Sequence, residues 1–520
     1  MSQHSETFEQ QDAPNSPELG LLGWVRWIWR QLTSMRTALI LLLLLAAAAI
    51  PGSVYPQRSA DPNGVTQFYK SNPELAKVLD WFQLFDVYSS VWFSAIYILL
   101  FTSLIGCVIP RSKVHYRAMR SEPGEVPTRL TRFPGYKKTT TDASVKAVLD
   151  RAEAALSERG YRLVRRKDSI SAERGYLRET GNLVFHTALI GVLIAAGIGG
   201  ALSYNGQRVL VEGEVFVNNL ASYDSFSPGV FFDENQLTPF SMSLDKFEVF
   251  FDLKNRTNIG TPLDFRATVT SKSGVDGQKS QSVIRVNEPL ELPGANVYLT
   301  GNGYAPVLTF KDADGQISFS GPVIFLPQDA NYTSLGVVKL PDAKPDQFGV
   351  LAFFYPTKEQ LKTGAFTSIY PDPIDPLLSM NVYSGDLGLD EGIPKNVFAL
   401  DTENLEVVAS RQGPNDPIQL RIGETVELPN DLGKVRFDGL LRFASLDVAY
   451  NPGGVWVLFF AMLSLFSMGL SLLTPRRRIW VRRNSDGTIE LAALARSDDP
   501  RLEEVLNDIR TQIESKVGSK

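Results

Sequence analysis

The chain has 520 residues, with 52 Lys and Arg against 57 Asp and Glu, three His and one Cys. A lone cysteine excludes an intrachain disulfide, a CxxC thiol pair and a CxxCH haem-attachment motif, and three histidines leave a zinc or multi-histidine centre almost nothing to work with. The formal charge of −5 averages over segments of opposite sign, and the apolar residues are too unevenly spread for a purely soluble chain.

Residues 1–20, MSQHSETFEQQDAPNSPELG, are polar and aperiodic and read as a disordered tail that carries His4. WVRWIWR then sets Trp24, Trp27 and Trp29 beside arginines, an amphipathic interfacial segment up to residue 36 with indoles at headgroup depth. Residues 37–55 form the first stretch without Asp, Glu, Lys or Arg that is long enough to cross a bilayer. Its end, AAAAIPG, looks like a secretory cleavage site. The polar leader before it and the second span after it favour an uncleaved helix. A short loop (56–88) leads to the second span, 89–109, which holds Cys107 near its far end.

Residues 110–182 read as a small α/β module: YKKTTT as a strand, SVKAVLDRAEAALSERG as a helix stopped by Gly160, then YRLVRRKD and SISAERG as a hairpin pair. The third span is 183–202. From 203 to 454, alternating runs such as FSMSLDKFEVFF and DFRATVTS fall between Gly, Pro, Asn and Asp, the pattern of antiparallel sheets in two lobes. Asp342 to Asp386, rich in Pro, Gly and Asp, reads as a surface loop or edge insertion. The fourth span is 455–473, and 474–520 is a tail with a short strand, TIELAAL, and a helix. In hydrocarbon every backbone polar group must be paired internally, so the four apolar runs are helices.

Lys and Arg in the flanks give the orientation. Arg111 to Gly181 holds 17 basic and 9 acidic residues, the fourth span is followed by RRRIWVRR, and Arg26, Arg30 and Arg36 precede the first span. These flanks are expected to be cytoplasmic, with both termini inside a multi-pass cell-membrane protein and 203–454 extracytoplasmic. Ser203 to Tyr450 carries 19 basic and 32 acidic residues, 19 − 32 = −13, which argues against nucleic acid or anionic lipid as its partner. The expected fold class is an integral membrane α+β protein: four transmembrane helices, a large extracytoplasmic β-rich, sandwich-like domain and a small cytoplasmic α/β module.

The histidines differ in promise. His115, among basic residues after the second span, is expected to face lipid phosphate or water. His186 lies one turn inside the third span, where a polar group is costly and functional by default, the bland alternative being a bond to a neighbouring helix. At 100° per residue Gly191, Ala195 and Gly199 fall opposite His186, while Leu189, Ile190, Leu193 and Gly197 share its face. If the small face packs inside this protein, His186 points at a partner subunit or a flat apolar ligand. Haem fits, because imidazole is a good axial ligand for its iron. Cys107 reads as a small core residue or as a second polarizable group. With no histidine or cysteine in 203–454, a hydrolytic outer domain has no distinctive anchor among its carboxylates. A membrane-anchored binding or assembly module, and a transporter of another apolar ligand, remain alternatives.

Five ordered segments add a family resemblance. LTSMRTALILLLLLAAAAIPGSVYPQ, LFDVYSSVWFSAIYILLFTSLIGCVIPR, GNLVFHTALIGVLI, PFSMSLDKFEVFF with DFRATV and RVNEPL, and NPGGVWVLFFAMLSLFSMGL before RRRIWV resemble the ResB family of System II cytochrome c biogenesis proteins. The likeness is weakest from Asp342 to Asn430. It implies a subunit of a haem lyase, the cytochrome c synthase, that is not catalytic alone. It further implies haem b bound transiently and jointly with a ResC/CcsA-type partner, apocytochrome c as acceptor and an extracytoplasmic thiol–disulfide reductant nearby. His186 matches the family's membrane histidine, a candidate axial ligand to haem iron, and Cys107 matches a family position. The partner is implied to supply the tryptophan-rich haem motif and outer histidines that this chain lacks.

Overall fold

The structure is a computed structural model that describes residues 20–133, 135–253, 259–274, 277–389, 397–495 and 499–514. The polar leader with His4 lies outside the described residues. Two compact units arise, one from Met1–Gly199 with Gly453–Lys520 and one from Gly200–Pro452.

In the first unit, α1 (Leu21–Leu32) turns at Thr33 into α2 (Met35–Val54). The loop after α2 is largely helical: α3 (Pro62–Ser71) and α4 (Pro73–Trp81) close over Phe85 with Val65, Ala76 and Leu79. Buried Gln57 ties this cap together, donating to the Leu84 carbonyl at 3.0 Å and accepting from Val87 N–H at 3.0 Å. Next come α5 (Val91–Arg120), α6 (Val145–Glu158) and α7 (Leu177–Leu202), and after the second unit α8 (Gly454–Leu473) and α9 (Leu502–Glu514). Among the described residues four helices, α2, α5, α7 and α8, are long and apolar enough to cross a membrane.

Two of these outrun their apolar stretches. Helix α5 continues from Ile109 to Arg120, and α7 begins at Leu177 rather than Leu183. Hydropathy marks the portion suited to hydrocarbon, whereas the helix itself needs only its hydrogen-bond ladder and suitable ends. Arg117 and Arg120 lie in the last turn of α5, where cations complement the exposed carbonyls, and Arg162 reaches back to the carbonyls of Met119 and Arg120.

Segments read separately in the sequence build one sheet. Its five antiparallel strands run in the order Lys137–Thr140, Thr488–Ala495, Arg477–Arg483, Ser169–Arg174, Arg162–Arg165. The two adjacent strands from the tail therefore sit between strands of the 110–182 region, because the apolar faces of both need the same cover. Helix α6 supplies Val148, Leu149, Ala152 and Leu156, and α9 supplies Leu506, Ile509 and Ile513, packed on Ile170, Ile479, Val481 and Leu491. Each of the Val, Leu and Ile side chains among them contributes roughly 1.5–3 kcal/mol on burial. On another cluster of the same sheet, Phe133 lies 4.6 Å from Trp480, centroid to centroid.

The second unit is organised by one long antiparallel ribbon, Ala295–Lys311 with Gly433–Tyr450. One end, through Leu308, Phe310, Val435 and Phe437, shares a core with strands Phe348–Tyr355 and Leu377–Ser384. The other, through Val297, Ala444, Leu446 and Val448, shares a second core with Phe240–Phe251 and Pro262–Ser273. Two lobes thus hang on one ribbon. Between its ends, Arg442 donates to the Tyr304 hydroxyl at 2.6 Å and to Asp372 at 3.2 Å, with its guanidinium 4.3 Å from the Tyr304 ring centroid. Burial pushes the Tyr304 hydroxyl above its ordinary pKa.

The stretch Asp342 to Asp386 is not a surface insertion. It supplies Phe348–Tyr355 and Leu377–Ser384, paired with each other in the interior of a six-stranded sheet. Phe348, Val350, Phe354, Leu378 and Met380 are fully buried. Apolar residues run almost continuously here, so the alternation expected of a half-exposed strand is missing. Apart from Gly349, which pairs inside the first of these strands, the Pro, Gly and Asp residues lie between strands.

Candidate functional site

Helix α7 buries a line of small residues, Gly181, Ala188, Gly191, Ala195 and Gly199. They permit close approach to α8: a methyl group on Gly191 would sit 2.4 Å from the Phe460 ring, and one on Gly181 2.7 Å from the Ser467 carbonyl oxygen. His186 projects from the opposite side and is half-buried. Its Nδ1 lies 2.7 Å from the Asn182 carbonyl oxygen, one turn back on the same helix, and its ring meets Phe185 edge-on at 5.0 Å. A carbonyl can only accept, so in the neutral ring the proton is assigned to Nδ1 and the lone pair to Nε2. Among the described residues Nε2 has no hydrogen-bond partner. The ring therefore does not bind a neighbouring helix. Farther along the same face, the Tyr97 hydroxyl of α5 donates to the Leu193 carbonyl and lies 3.5 Å from where a Cβ of Gly197 would be, so α5 covers part of the histidine's face.

The histidine that does join helices is His115. Expected in water or among lipid phosphates, it is instead 7% exposed. Its Nε2 lies 2.9 Å from Thr180 Oγ1 and its Nδ1 3.3 Å from Glu179 Oε2, both on α7. The Thr180 hydroxyl donates onward to the Tyr176 carbonyl at 3.2 Å, which leaves its oxygen to accept from Nε2–H. Both partners precede the apolar run of α7. Helical periodicity carried back to Leu177 would have found them, but hydropathy could not.

Beside His115 is a cavity of about 650 Å³ between α5, α7 and α8, bordered by Arg111, Val114, Arg178, Glu179, Asn182 and Leu472. This falls within the range of small-molecule and cofactor sites, roughly 300–1,000 Å³. Asn182 belongs to both features: it borders the cavity and its carbonyl fixes His186. A second, mostly apolar cavity of about 190 Å³ also borders His115, with Thr180, Val184, Phe460 and Leu463.

Cys107 occupies a different place, the elbow between α1 and α2. Where the first helix stops, three successive carbonyls receive side-chain donors: Gln31 from Thr37 Oγ1 at 2.7 Å, Leu32 from Ser103 Oγ at 2.6 Å, and Thr33 from Cys107 Sγ at 2.8 Å. Gly106 makes room, since a methyl group there would lie 2.1 Å from Thr33 Cγ2. A broken helix in an apolar setting must satisfy its orphan carbonyls, and Ser103 and Cys107 are placed for that. His186 and Cys107 are thus in separate surroundings.

A ResB-like family model matches residues 35–507. The chain is 30% identical over 273 residues to "Cytochrome c biogenesis protein CcsB" of Synechococcus sp. (strain WH7803), covering 51% of this chain and 58% of that protein. It is 26% identical over 471 residues to the protein of the same name from Synechococcus sp. (strain RCC307), covering 89% and 91%. With that of Synechococcus sp. (strain CC9605) it shares 28% identity over 469 residues, again 89% and 91%. The matched stretch spans less than two thirds of the WH7803 and CC9311 relatives, 58% and 59% of their lengths.

Proposed function

The chain belongs to the ResB-like family, and from that premise we propose that it is a membrane subunit of a System II cytochrome c synthase, helping to deliver haem across the membrane and attach it to apocytochrome c. In this reading the five-stranded sheet and both termini are cytoplasmic and residues 203–454 lie outside, a topology that the basic flanks support. A ResC/CcsA-type subunit is the partner, because the chain between Ser203 and Gly454 contains neither histidine nor cysteine and so offers iron no imidazole and an apocytochrome's cysteines no thiol there.

The observation that carries the haem assignment is the geometry of His186. Haem would supply an iron that binds imidazole and vinyl groups that accept the apocytochrome's thiols. The residues present fit the first of these. Asn182 holds Nδ1–H, which fixes the ring and would leave the Nε2 lone pair to hold the iron. The small-residue face of α7 is occupied by α8, so His186 is directed away from α8, on the face that α5 covers only in part. An assembly module in which His186 merely joins helices loses its support, since the ring bonds its own helix.

The test is to purify the full chain with its ResC/CcsA-type partner and record haem content and spectrum for wild type and His186→Ala. Loss of haem or a changed ligand-field spectrum is expected. Unchanged haem, with cytochrome maturation intact, would remove the ligand assignment.

A further inference from the structure

The cavity beside His115 has walls that the axial-ligand reading does not use. Arg111 stands at its edge, and among the described residues its only side-chain partner is the thioether sulfur of Met35, at 2.7 Å. A thioether is a weak acceptor and no counter-ion, so this guanidinium keeps most of its donor capacity. Arg178 borders the same cavity from α7. Arg111 and His115 are four apart on α5, and Arg178 and Asn182 four apart on α7, so each pair shares a helix face. The one carboxylate on the lining, Glu179, lies against His115. Val114, Leu183 and Leu472 provide apolar wall between the cations.

We propose that this cavity recognises the two carboxylates of a planar, amphipathic porphyrin, with Arg111 and Arg178 as their receptors and His115 as the strut that fixes the two helices apart. The inference rests on the haem reading of His186. Arg178 stands eight residues before His186, a rise of about 12 Å along α7. A ligand with its metal at His186 and its acidic edge toward the basic end of α7 would present carboxylates to this cavity. The guanidinium fork matches a carboxylate in two-point geometry, which an ammonium cannot reproduce. A charged group near hydrocarbon is costly until paired, so a carboxylate of the ligand and the Arg111 guanidinium relieve each other. Arg111 and Arg178 act here as binding residues; His115 acts through helix placement.

The experiment uses the full chain with its partner in lipid nanodiscs and two probes, haem and haem dimethyl ester, which differ only in whether the acid groups are free. Wild type is expected to prefer the free acid by roughly tenfold or more, the worth of one or two charge-assisted hydrogen bonds. Arg111→Gln/Arg178→Gln is expected to lose that preference while still binding the ester with an unchanged axial-ligand spectrum, which also shows that it folds. Arg111→Lys should retain only part of the preference. Wild type that binds both probes equally well overturns the clamp and leaves the His186 assignment standing, whereas wild type that binds neither ends both. A preference abolished by enriching the nanodisc in phosphatidylglycerol would assign the arginines to lipid phosphate instead and overturn the proposal.

Discussion

His115 on α5 and Thr180 on α7 form a hydrogen bond of 2.9 Å between two membrane-length helices, and the bond lies beyond the apolar part of each. Removing either partner breaks this link between the helices and leaves the Nε2 or Oγ1 atom that made it without that bond. His115→Ala and Thr180→Val are each expected to cost about 1–3 kcal/mol, read as a lowered midpoint of thermal unfolding in detergent. The double variant should cost less than the sum. Strict additivity would show that the two side chains do not interact.

Gly191 faces the Phe460 ring with no space for a side chain. Gly191→Leu is expected to separate α7 from α8, costing about 1–3 kcal/mol and lowering the yield of folded protein. Phe460→Ala should partly restore the Leu variant. Tolerance of Leu without compensation would mean that this face is not closely packed.

Cys107 is expected to behave as a hydrogen-bond donor and not as a nucleophile. Cys107→Ser keeps a donor toward the Thr33 carbonyl and should leave stability and cytochrome maturation near wild type. Cys107→Val should cost about 1–3 kcal/mol by leaving that carbonyl unpaired. Loss of maturation in a stably folded Ser variant would instead assign the thiol a chemical role.

Acid should loosen the five-stranded sheet. Asp499 receives two hydrogen bonds from Arg477, at 2.6 and 2.9 Å, with side-chain exposures of only 6% and 11%, and the guanidinium holds its carboxyl below the usual pKa. Because the folded pKa is the lower one, the stabilisation is fully present above the unfolded Asp value, about 3.9. It is lost as pH falls through the folded value. Hydrogen exchange in strand Arg477–Arg483 should therefore quicken in that acid window in wild type. In Asp499→Asn it should already be faster at neutral pH, by about 1–3 kcal/mol in opening energy, with the two proteins converging in acid. A constant gap at every pH would exclude the pair as its cause.

These relationships also show what a sequence discloses. The spans were visible because hydrocarbon demands one uninterrupted apolar length, and the small face of α7 was visible because Gly191, Ala195 and Gly199 recur at helical spacing. His186 stood out for the same reason, one polar group on an apolar background. His115 did not, since among arginines a histidine carries no contrast, and its partners Glu179 and Thr180 belong to helix that hydropathy does not mark. The role of Cys107 depends on a helix interruption seventy-odd residues earlier, at Thr33, which no local pattern at Cys107 records. The strands around Phe354 and Met380 were hidden by their own burial: covered on both sides, they lack the alternation by which strands are usually read.

The interleaved sheet has a consequence for the order in which the molecule is made. Strand Ser169–Arg174 must wait for Arg477–Arg483, which leaves the ribosome only after the whole β-rich unit has been synthesised. Until then its hydrogen-bonding edge is open and the apolar face of α6 is incompletely covered. The sheet therefore closes only once translation has passed residue 495. A chain interrupted before Arg477 would keep the four membrane-length helices yet expose that edge to proteases and chaperones, so prematurely ended copies would be cleared selectively.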